Sequence, residues 1–485
     1  MKYKKAIFIA FITVLMSCTQ VLAAEKTTNN KKPNIVFILA DDLSWSDPAY
    51  NGNEFYQTPN IDKLATAGIK FNRGYAGGPN CLPMRACLIS GMYTPRTKIW
   101  TPGGRSKGNT KYMKLDVKRA GSNGSIPSLT TLDGSVISIA ETVKKAGYTT
   151  ARFGKWHVGP DTQGFDISDS NGKGGPPTKN YYGNVDVAEW LTDASVKFIK
   201  DHKKKPFFLY LSHWDVHTPI RARKNIVDKY NKKLKSKKWS RPWNTTYAAM
   251  IEAVDTSVKR VRESLKENGL EDNTLFIFSS DNGGHAGATT NKPLKAAKGA
   301  LYEGGVRVPM LMVWPDVIKA GRLSDTPITS VDFLPTFAEL SGAPLPSSQP
   351  VDGQSFAGIF RGEDILKDRS IFWHYPLYLQ GQGEGIVLPI HGTNKNYWRG
   401  VPSSMIVKGD WKLIHFFEDN STELYNLKED IGEQKDLSKI NPDKTKELFS
   451  ELQQWQKDTK ADIPKALNES FDANAKSKSR RKKKK

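Results

Sequence analysis

Within GPNCLPMRACLISG, residues 78 to 91, a cysteine, a proline and an arginine stand at alternate positions, Cys81, Pro83 and Arg85. Pro83 suits the first turn of a helix, where its missing N–H would have no intrahelical partner. Cys81 then lies near the positive end of the helix dipole with Arg85 one turn away, surroundings that make a thiol acidic and reactive. A small buried hydrophobe is the competing reading of the same residue. A disulfide to Cys87 is disfavoured, because so short a loop constrains the unfolded chain little. A secreted disulfide framework also carries more cysteines than the three present.

Other reactive side chains follow apolar, β-rich runs. NIVFILA leads into Asp41 and Asp42, TTARFG into Lys155 and His157, PFFLYLS into His213 and His217, and TLFIFSS into Asp281 and Asn282. Apolar runs of this kind read as strands buried on both faces. Between them lie helical patterns: TPNIDKLATAG, with Thr58 at the N-cap, Pro59 at the first helical position and Gly68 past the end; SVISIAETVKKAG; VAEWLTDASVKFIKDH; and a long amphipathic run from Asn244. The alternation predicts an α/β fold, a large mostly parallel sheet flanked by helices. Ligands of such sheets sit beyond the carboxyl ends of the strands, where these polar residues fall, so one site built from four distant segments is expected. Taken singly, an Asp pair or Asp-Asn-Gly is more often a turn or a cap, and a lone Lys or His is more often structural.

Past residue 395 the runs shorten and alternate (SSMIVKGDWKLIHFF, TELYNL) before a helical NPDKTKELFSELQQWQKD, which predicts a smaller C-terminal antiparallel sheet with one packed helix. The expected organisation is a signal segment at 1–24, a catalytic α/β domain at 33–395, a small α+β subdomain at 396–465 and a basic, disordered tail at 466–485. Segments 100–135, 161–184 and 220–243, rich in Gly, Lys, Ser and Asn, read as loops or insertions.

The N-terminus has the three parts of an export signal: Lys2, Lys4 and Lys5, the apolar AIFIAFITVLM, and small residues at Ala23 and Ala24. An exported protein, periplasmic or secreted, is expected. LMSC also resembles a lipobox, so membrane attachment enters only through lipidation at Cys18. The chain carries a formal charge of +22, half of it in the signal and in the terminal KSKSRRKKKK. A body that stays basic without those ends favours a polyanionic substrate, and export argues against nucleic acid as that polyanion.

The stretch from Cys81 to Gly91, C-x-P-x-R-x-x-L-x-[ST]-G, resembles the signature of the type I, formylglycine-dependent sulfatases of the alkaline phosphatase-like superfamily. PNIVFILADD, TPNIDKLATAGIKF, GKWHVG, the H-x-P at His217, SDNGG, KGALYEGGVRVP and KGDWKLIHFF followed by ELYNL extend the resemblance over most of the chain, in that family's order. The resemblance implies that Cys81 is converted to Cα-formylglycine by a formylglycine-generating or sulfatase-maturating enzyme, with Cys87 a packing residue. It implies that Asp41, Asp42, Asp281 and Asn282 bind one divalent cation, Ca²⁺ ahead of Mg²⁺, as hard oxygen ligands suit. It further implies that Arg85 and Lys155 hold the formylglycine hydrate, that His157 hydrogen-bonds it, and that His217 and Lys298 reach the sulfate and its bridging oxygen.

The implied activity is hydrolysis of sulfate esters on a sulfated oligo- or polysaccharide, derived from algal polysaccharide or glycosaminoglycan. A phosphodiesterase or phosphonate monoester hydrolase of the same superfamily and a non-catalytic binder of sulfated glycans are the alternatives. The chain departs from the pattern at Leu82 and Met84 within the cysteine motif and at Ser44, where many relatives have Gly. Trp100, Arg105, Lys107, Trp243, His391 and Trp398 are candidate sugar contacts, and His285 is a candidate either for supporting the site residues from behind or for touching substrate.

Overall fold

The computed structural model of the protein describes residues 31–102, 126, 128–159, 163–169, 183–363, 366, 368–380 and 398–465. The signal segment 1–24 and the tail 466–485 lie outside the described residues, as do most of segments 100–135 and 161–184. The strands in chain order begin with β1 (Asn34–Ala40), β2 (Ile69–Phe71), β3 (Gly74–Tyr75), β4 (Thr149–Gly154), β5 (Ile167–Ser168), β6 (Phe207–Ser212), β7 (Thr274–Ser280), β8 (Met310–Val313) and β9 (Arg322–Ser324). Eight of them form one sheet in the order β5-β4-β6-β1-β7-β8-β2-β9, and β3 pairs apart with β10 (Ile328–Thr329). Pairing is parallel from β5 to β7, β8 runs against both of its neighbours, and β9 is again parallel to β2.

Every residue of β1 is buried. Ile35, Phe37 and Leu39 point into one core with Phe208, Tyr210, Leu275 and Ile277, while Val36, Ile38 and Ala40 enter the other with Leu209, Leu211, Phe276 and Phe278. This period of two inside a continuous apolar run is what a strand covered on both faces requires. Helices Cys81–Ser90, Ile139–Lys144 and Phe333–Ser341 cover the first face, and Pro59–Ala67, Val187–His202 and Thr245–Glu267 cover the second. Thr58 occupies the N-cap of Pro59–Ala67 but makes no capping bond. The helix's free Asn60 and Ile61 N–H groups donate to Asp255 Oδ1 at 2.9 and 2.8 Å, so a carboxylate on another helix does the capping.

The second sheet is antiparallel, in the order β11 (Ser370–Tyr375), β14 (Ser403–Lys408), β15 (Trp411–Phe416), β16 (Thr422–Asn426). Helix Pro442–Asp458 packs Leu448, Leu452 and Trp455 against Ile406, Leu413 and Leu424. β11 precedes residue 396, so the sheet draws one strand from the chain N-terminal to that division. A short ribbon of β12 (Leu379–Gln380) and β13 (Trp398–Gly400) stands beside it. One expected loop differs: 220–243 contains helix Lys224–Lys235. Its lysines obscure a helical spacing of Ile226, Val227, Tyr230 and Leu234, which pack on the second core.

Buried charge ties the second sheet to the short helix Glu303–Val306. Lys412 Nζ on β15 lies 2.9 Å from Glu303 Oε1 and 2.8 Å from Glu433 Oε1, and none of the three side chains is exposed. Arg307 and Tyr75 hold the other oxygen of Glu303 at 2.8 and 3.1 Å. Burial, aided by Glu303 and only partly opposed by Lys412, raises the Glu433 carboxyl from 4.5 to about 7. Below pH 4.5 this group is protonated folded or unfolded and contributes nothing; between 4.5 and about 7 only the unfolded chain releases the proton, so stability falls as pH rises. The Glu433→Gln variant should therefore lose that decline, read from urea midpoints across the window. A decline as steep as that of the unsubstituted protein would contradict the assignment.

Candidate active site

The carboxyl ends of β1, β4, β6 and β7 are held together by backbone bonds: Asp41 N to Asp215 O at 2.9 Å, Asp281 N to Ala40 O at 3.1 Å and Lys155 N to Ser212 O at 2.8 Å. Gly154, at φ +94°, permits the last of these contacts, because a Cβ there would lie 1.9 Å from Ser212 O. Asp42 sits at φ 63°, a left-handed conformation that Asp tolerates better than most residues. Its N–H donates to Asp281 Oδ1 at 3.1 Å, and Leu43 N–H donates to Ser280 Oγ at 3.0 Å.

Cys81 is the first residue of helix Cys81–Ser90 and is buried. Its Sγ lies 3.4 Å from Asp41 Oδ1, 3.8 Å from Asp42 Oδ1 and 3.1 Å from Lys298 Nζ. Three buried ion pairs surround it: Lys155 with Asp41 Oδ2 at 2.5 Å, Lys298 with Asp42 Oδ1 at 2.5 Å and Arg85 with Asp281 Oδ2 at 2.7 Å. Arg85 also donates to Lys155 O at 2.9 Å and to Ser212 Oγ at 2.5 Å, so its bonds go to the scaffold of the site. His217 Nε2 stands 3.8 Å from Asp42 Oδ2, while its Nδ1 bonds Thr218 O at 2.5 Å. Ligand atoms of Asp41, Asp42, Cys81 and His217 all lie within 4.8 Å of one another.

These contacts decide the charge states. Burial, then Asp281, pushes the Cys81 thiol well up, against the pull of Lys155 and Lys298. The acidic thiolate expected from the helix end and Arg85 is thus overturned: desolvation beside aspartates outweighs the dipole, and Arg85 spends its charge on Asp281. Burial opposes ionisation of Asp42 and Asp281, but the surrounding cations acting together, Lys298 foremost on Asp42 and Arg85 foremost on Asp281, hold both below the usual range. Burial likewise opposes the charge on Lys298, and Asp42 together with Asp41 and Asp281 outweighs it, keeping the ammonium. His157, at φ 70°, is held neutral by burial and by the neighbouring Lys155 and Arg85 charges, and its Nδ1 has no hydrogen-bond partner.

The donor chemistry fits a hard cation. Asp42 Oδ2 and Asn282 Oδ1 are buried oxygens that accept no hydrogen bond, although Asn282 Nδ2 donates to Asp42 Oδ1 at 2.7 Å and to Gly283 O at 2.9 Å. Orphaned buried oxygens of this kind are rare and call for a ligand. With Asp41 and Asp281 they make an all-oxygen set of the type Ca²⁺ and Mg²⁺ take.

Sequence reasoning thus placed Asp41, Asp42, Cys81, Arg85, Lys155, His157, His217, Asp281, Asn282 and Lys298, and the fold brings these together from distant segments. His213 lies elsewhere: it is fully buried with Nε2 3.0 Å from Ser257 Oγ on helix Thr245–Glu267, and burial lowers it to about 4. Cys87 is buried too, in the core shared with the smaller sheet and helix Pro442–Asp458. Two candidate sugar contacts are corrected. Trp100 has no exposure and meets His374 edge-on, and Trp243 stacks on Phe55 with ring centroids 5.3 Å apart, so both rings serve the core. Arg105, Lys107 and His391 lie outside the described residues, as does the side chain of Trp398. Sequence reasoning missed Asp47 and Tyr247. Tyr247 OH lies 2.7 Å from Asp47 Oδ2 and 3.2 Å from Asp42 O, while Ser44 N and Thr289 Oγ1 donate to Asp47 at 2.9 and 2.7 Å, which fixes the loop carrying Asp41 and Asp42. Asp47 is visible as an acid just after DDL; nothing in the helical pattern singles out Tyr247.

The chain is similar to known proteins. The family model described as Sulfatase matches residues 33–343, and that of the N-sulphoglucosamine sulphohydrolase C-terminal region matches residues 296–462. A sulfatase of Formosa agariphila is 33% identical, covering 90% of each chain. An N-acetylgalactosamine-6-O-sulfatase of Bacteroides thetaiotaomicron is 25% identical over 91% of this chain and 96% of its own. Among solved structures, Ps i-CgsB in complex with k-i-k-neocarrahexaose superposes with a TM-score of 0.69 at 28% identity, covering 91% of this chain and 96% of that one.

Tyr247→Phe removes the hydroxyl that ties the Asp42 backbone to Asp47. Outer partners of this kind are worth about 10- to 100-fold in metal affinity. Calcium titration by calorimetry should show a loss of that order in the variant, and an unchanged affinity would remove Tyr247 from the cation loop.

Proposed function

The chain belongs to the sulfatase family and is a sulfuric ester hydrolase, and from that premise we propose that it removes sulfate from a sulfated oligosaccharide, using formylglycine at position 81 and one Ca²⁺. The observation that carries this reading is the placement of Cys81. Its side chain, at the start of a helix, faces two aspartates and Lys298 in a buried pocket where a thiol stays protonated. Such surroundings do not activate a cysteine as a cysteine. An oxygen nucleophile at the same place would be activated by a cation held on the neighbouring aspartates together with Lys155 and Lys298.

Formylglycine in hydrated form supplies one oxygen to attack sulfur and a second whose deprotonation expels sulfate and restores the aldehyde, so no water need attack the sulfur. Asp41, Asp42, Asp281 and Asn282 would hold Ca²⁺, which supplies positive charge for a sulfate oxygen and for the nucleophile. Lys298, 3.1 Å from the Cys81 sulfur, and Lys155, paired to Asp41, are ammonium groups placed to stabilise negative charge on the transferring sulfuryl group. Arg85 is a positioning residue, since it orients Asp281 and the Lys155 backbone. His217, partly exposed beside Asp42 and with Nδ1 committed to Thr218 O, presents Nε2 to donate a proton to the departing sugar oxygen, with Lys298 beside it. His157, held neutral, is the base for the remaining hydroxyl.

The carbohydrate assignment rests on relatives: one is named as acting at N-acetylgalactosamine 6-sulfate, and a solved neighbour holds a neocarrahexaose. The basic chain and its export signal agree with an extracellular polyanion, so a periplasmic or secreted location is part of the proposal.

Cys81→Ala should abolish sulfate release while thermal unfolding shows an intact fold, and peptide mass spectrometry of the native enzyme should find an aldehyde or its hydrate at position 81. Unmodified thiol throughout an active preparation would sink the mechanism. His217→Ala should lower kcat by about 10²–10⁴ on sugar sulfates, as loss of a general acid does, and by much less on aryl sulfates whose phenol leaves unaided. Equal losses on both substrate types would deny His217 that role.

A further inference from the structure

We propose that Arg399, with His285 beside it, forms a second anion-recognition position next to the sulfate pocket and selects sugars that carry another sulfate or a carboxylate near the scissile ester. The inference deepens, and rests on, the sulfated-carbohydrate reading above. Arg399 comes from β13, in the C-terminal ribbon. The close approach is made possible by Gly299, the residue directly after Lys298. At φ +98°, Gly299 has a position where a Cβ would lie 2.5 Å from Leu379 Cδ2, 3.4 Å from Arg399 Cβ and 3.6 Å from Arg399 Nε. Its N–H also donates to Pro79 O at 2.8 Å, two residues before Cys81. The ribbon is therefore seated directly on the backbone that links the Cys81 loop to Lys298.

From there the guanidinium charge acts on Asp42, Cys81 and His285. His285 accepts the Gly287 N–H on Nδ1 at 3.1 Å, which leaves its Nε2–H as a donor. Arg85, Lys155 and Lys298 each hold one aspartate of the pocket. Arg399 adds a fourth cation from a different element, next to the residue that follows Lys298. A planar guanidinium fork matches sulfate and carboxylate geometry, whereas it gains little from a neutral hydroxyl.

The test is calorimetric binding to the full chain bearing Cys81→Ser, with and without Arg399→Gln or Arg399→Lys. The probes are chondroitin and carrageenan disaccharides carrying one or two sulfates. In at least one series the doubly sulfated probe should bind about tenfold or more tightly than its partner, equivalent to one charge-assisted hydrogen bond. Arg399→Gln should erase that ratio, and Arg399→Lys should keep part of it. A parent protein with no preference for the second charge, or a Gln variant that keeps the full ratio, overturns the assignment. Sulfate release by the formylglycine-bearing enzyme is scored separately: no turnover of any sugar sulfate overturns the carbohydrate reading, while an intact charge preference still upholds Arg399.

Discussion

Asp41, Asp42 and Asp281 are buried side by side at the ends of two adjacent parallel strands, and a carboxylate withdrawn from water costs several kcal/mol unless it is paired. The fold answers with one cation for each, and each cation arrives on a different segment: Lys155 from the end of β4, Lys298 from the loop before helix Glu303–Val306, and Arg85 from helix Cys81–Ser90. These pairs are both the electrostatic condition for burying the acids and the means by which distant parts of the chain are pinned to one point. Removing any one leaves an uncompensated charge in the interior.

Pairing also divides labour among the oxygens. The ammonium groups take Asp41 Oδ2 and Asp42 Oδ1, while Asp42 Oδ2 and Asn282 Oδ1 stay without hydrogen bonds and remain available to a cation. Position 81 lies between these two sets. Its own burial beside aspartates suppresses thiolate chemistry, and an anionic oxygen there would draw on Lys155, Lys298 and a cation held by the aspartates.

A second buried cluster, Glu303, Arg307, Lys412 and Glu433, repeats the principle between the second sheet and helix Glu303–Val306. Lys412 belongs to the antiparallel sheet, and Glu303 lies five residues after Lys298. The smaller sheet thereby bears on the position of Lys298, and the ribbon over Gly299 brings Arg399 to the same place. The C-terminal region is a wall of the active site as well as a structural appendage.

Much of this was legible in the chain. Short apolar runs rich in β-branched and aromatic residues read as strands covered on both faces, so the large sheet and the polar residues at its carboxyl ends were legible in NIVFILA, FFLYLS and TLFIFSS. The C-x-P-x-R spacing marks one cysteine out of three for the same local reason, a helix start. What the sequence could not carry were properties set by neighbours far along the chain. The charge state of Cys81 depends on desolvation and on Asp281, 200 positions away. The burial of Trp100 and Trp243 depends on which rings they meet, and the roles of Tyr247 and Arg399 depend on close approaches across separate elements. Local pattern determines which segments become strands and helices because the periodicity of burial is written in adjacent residues. Only the tertiary structure decides pairing, desolvation and access, because those depend on which side chains the folded chain brings within a few ångströms.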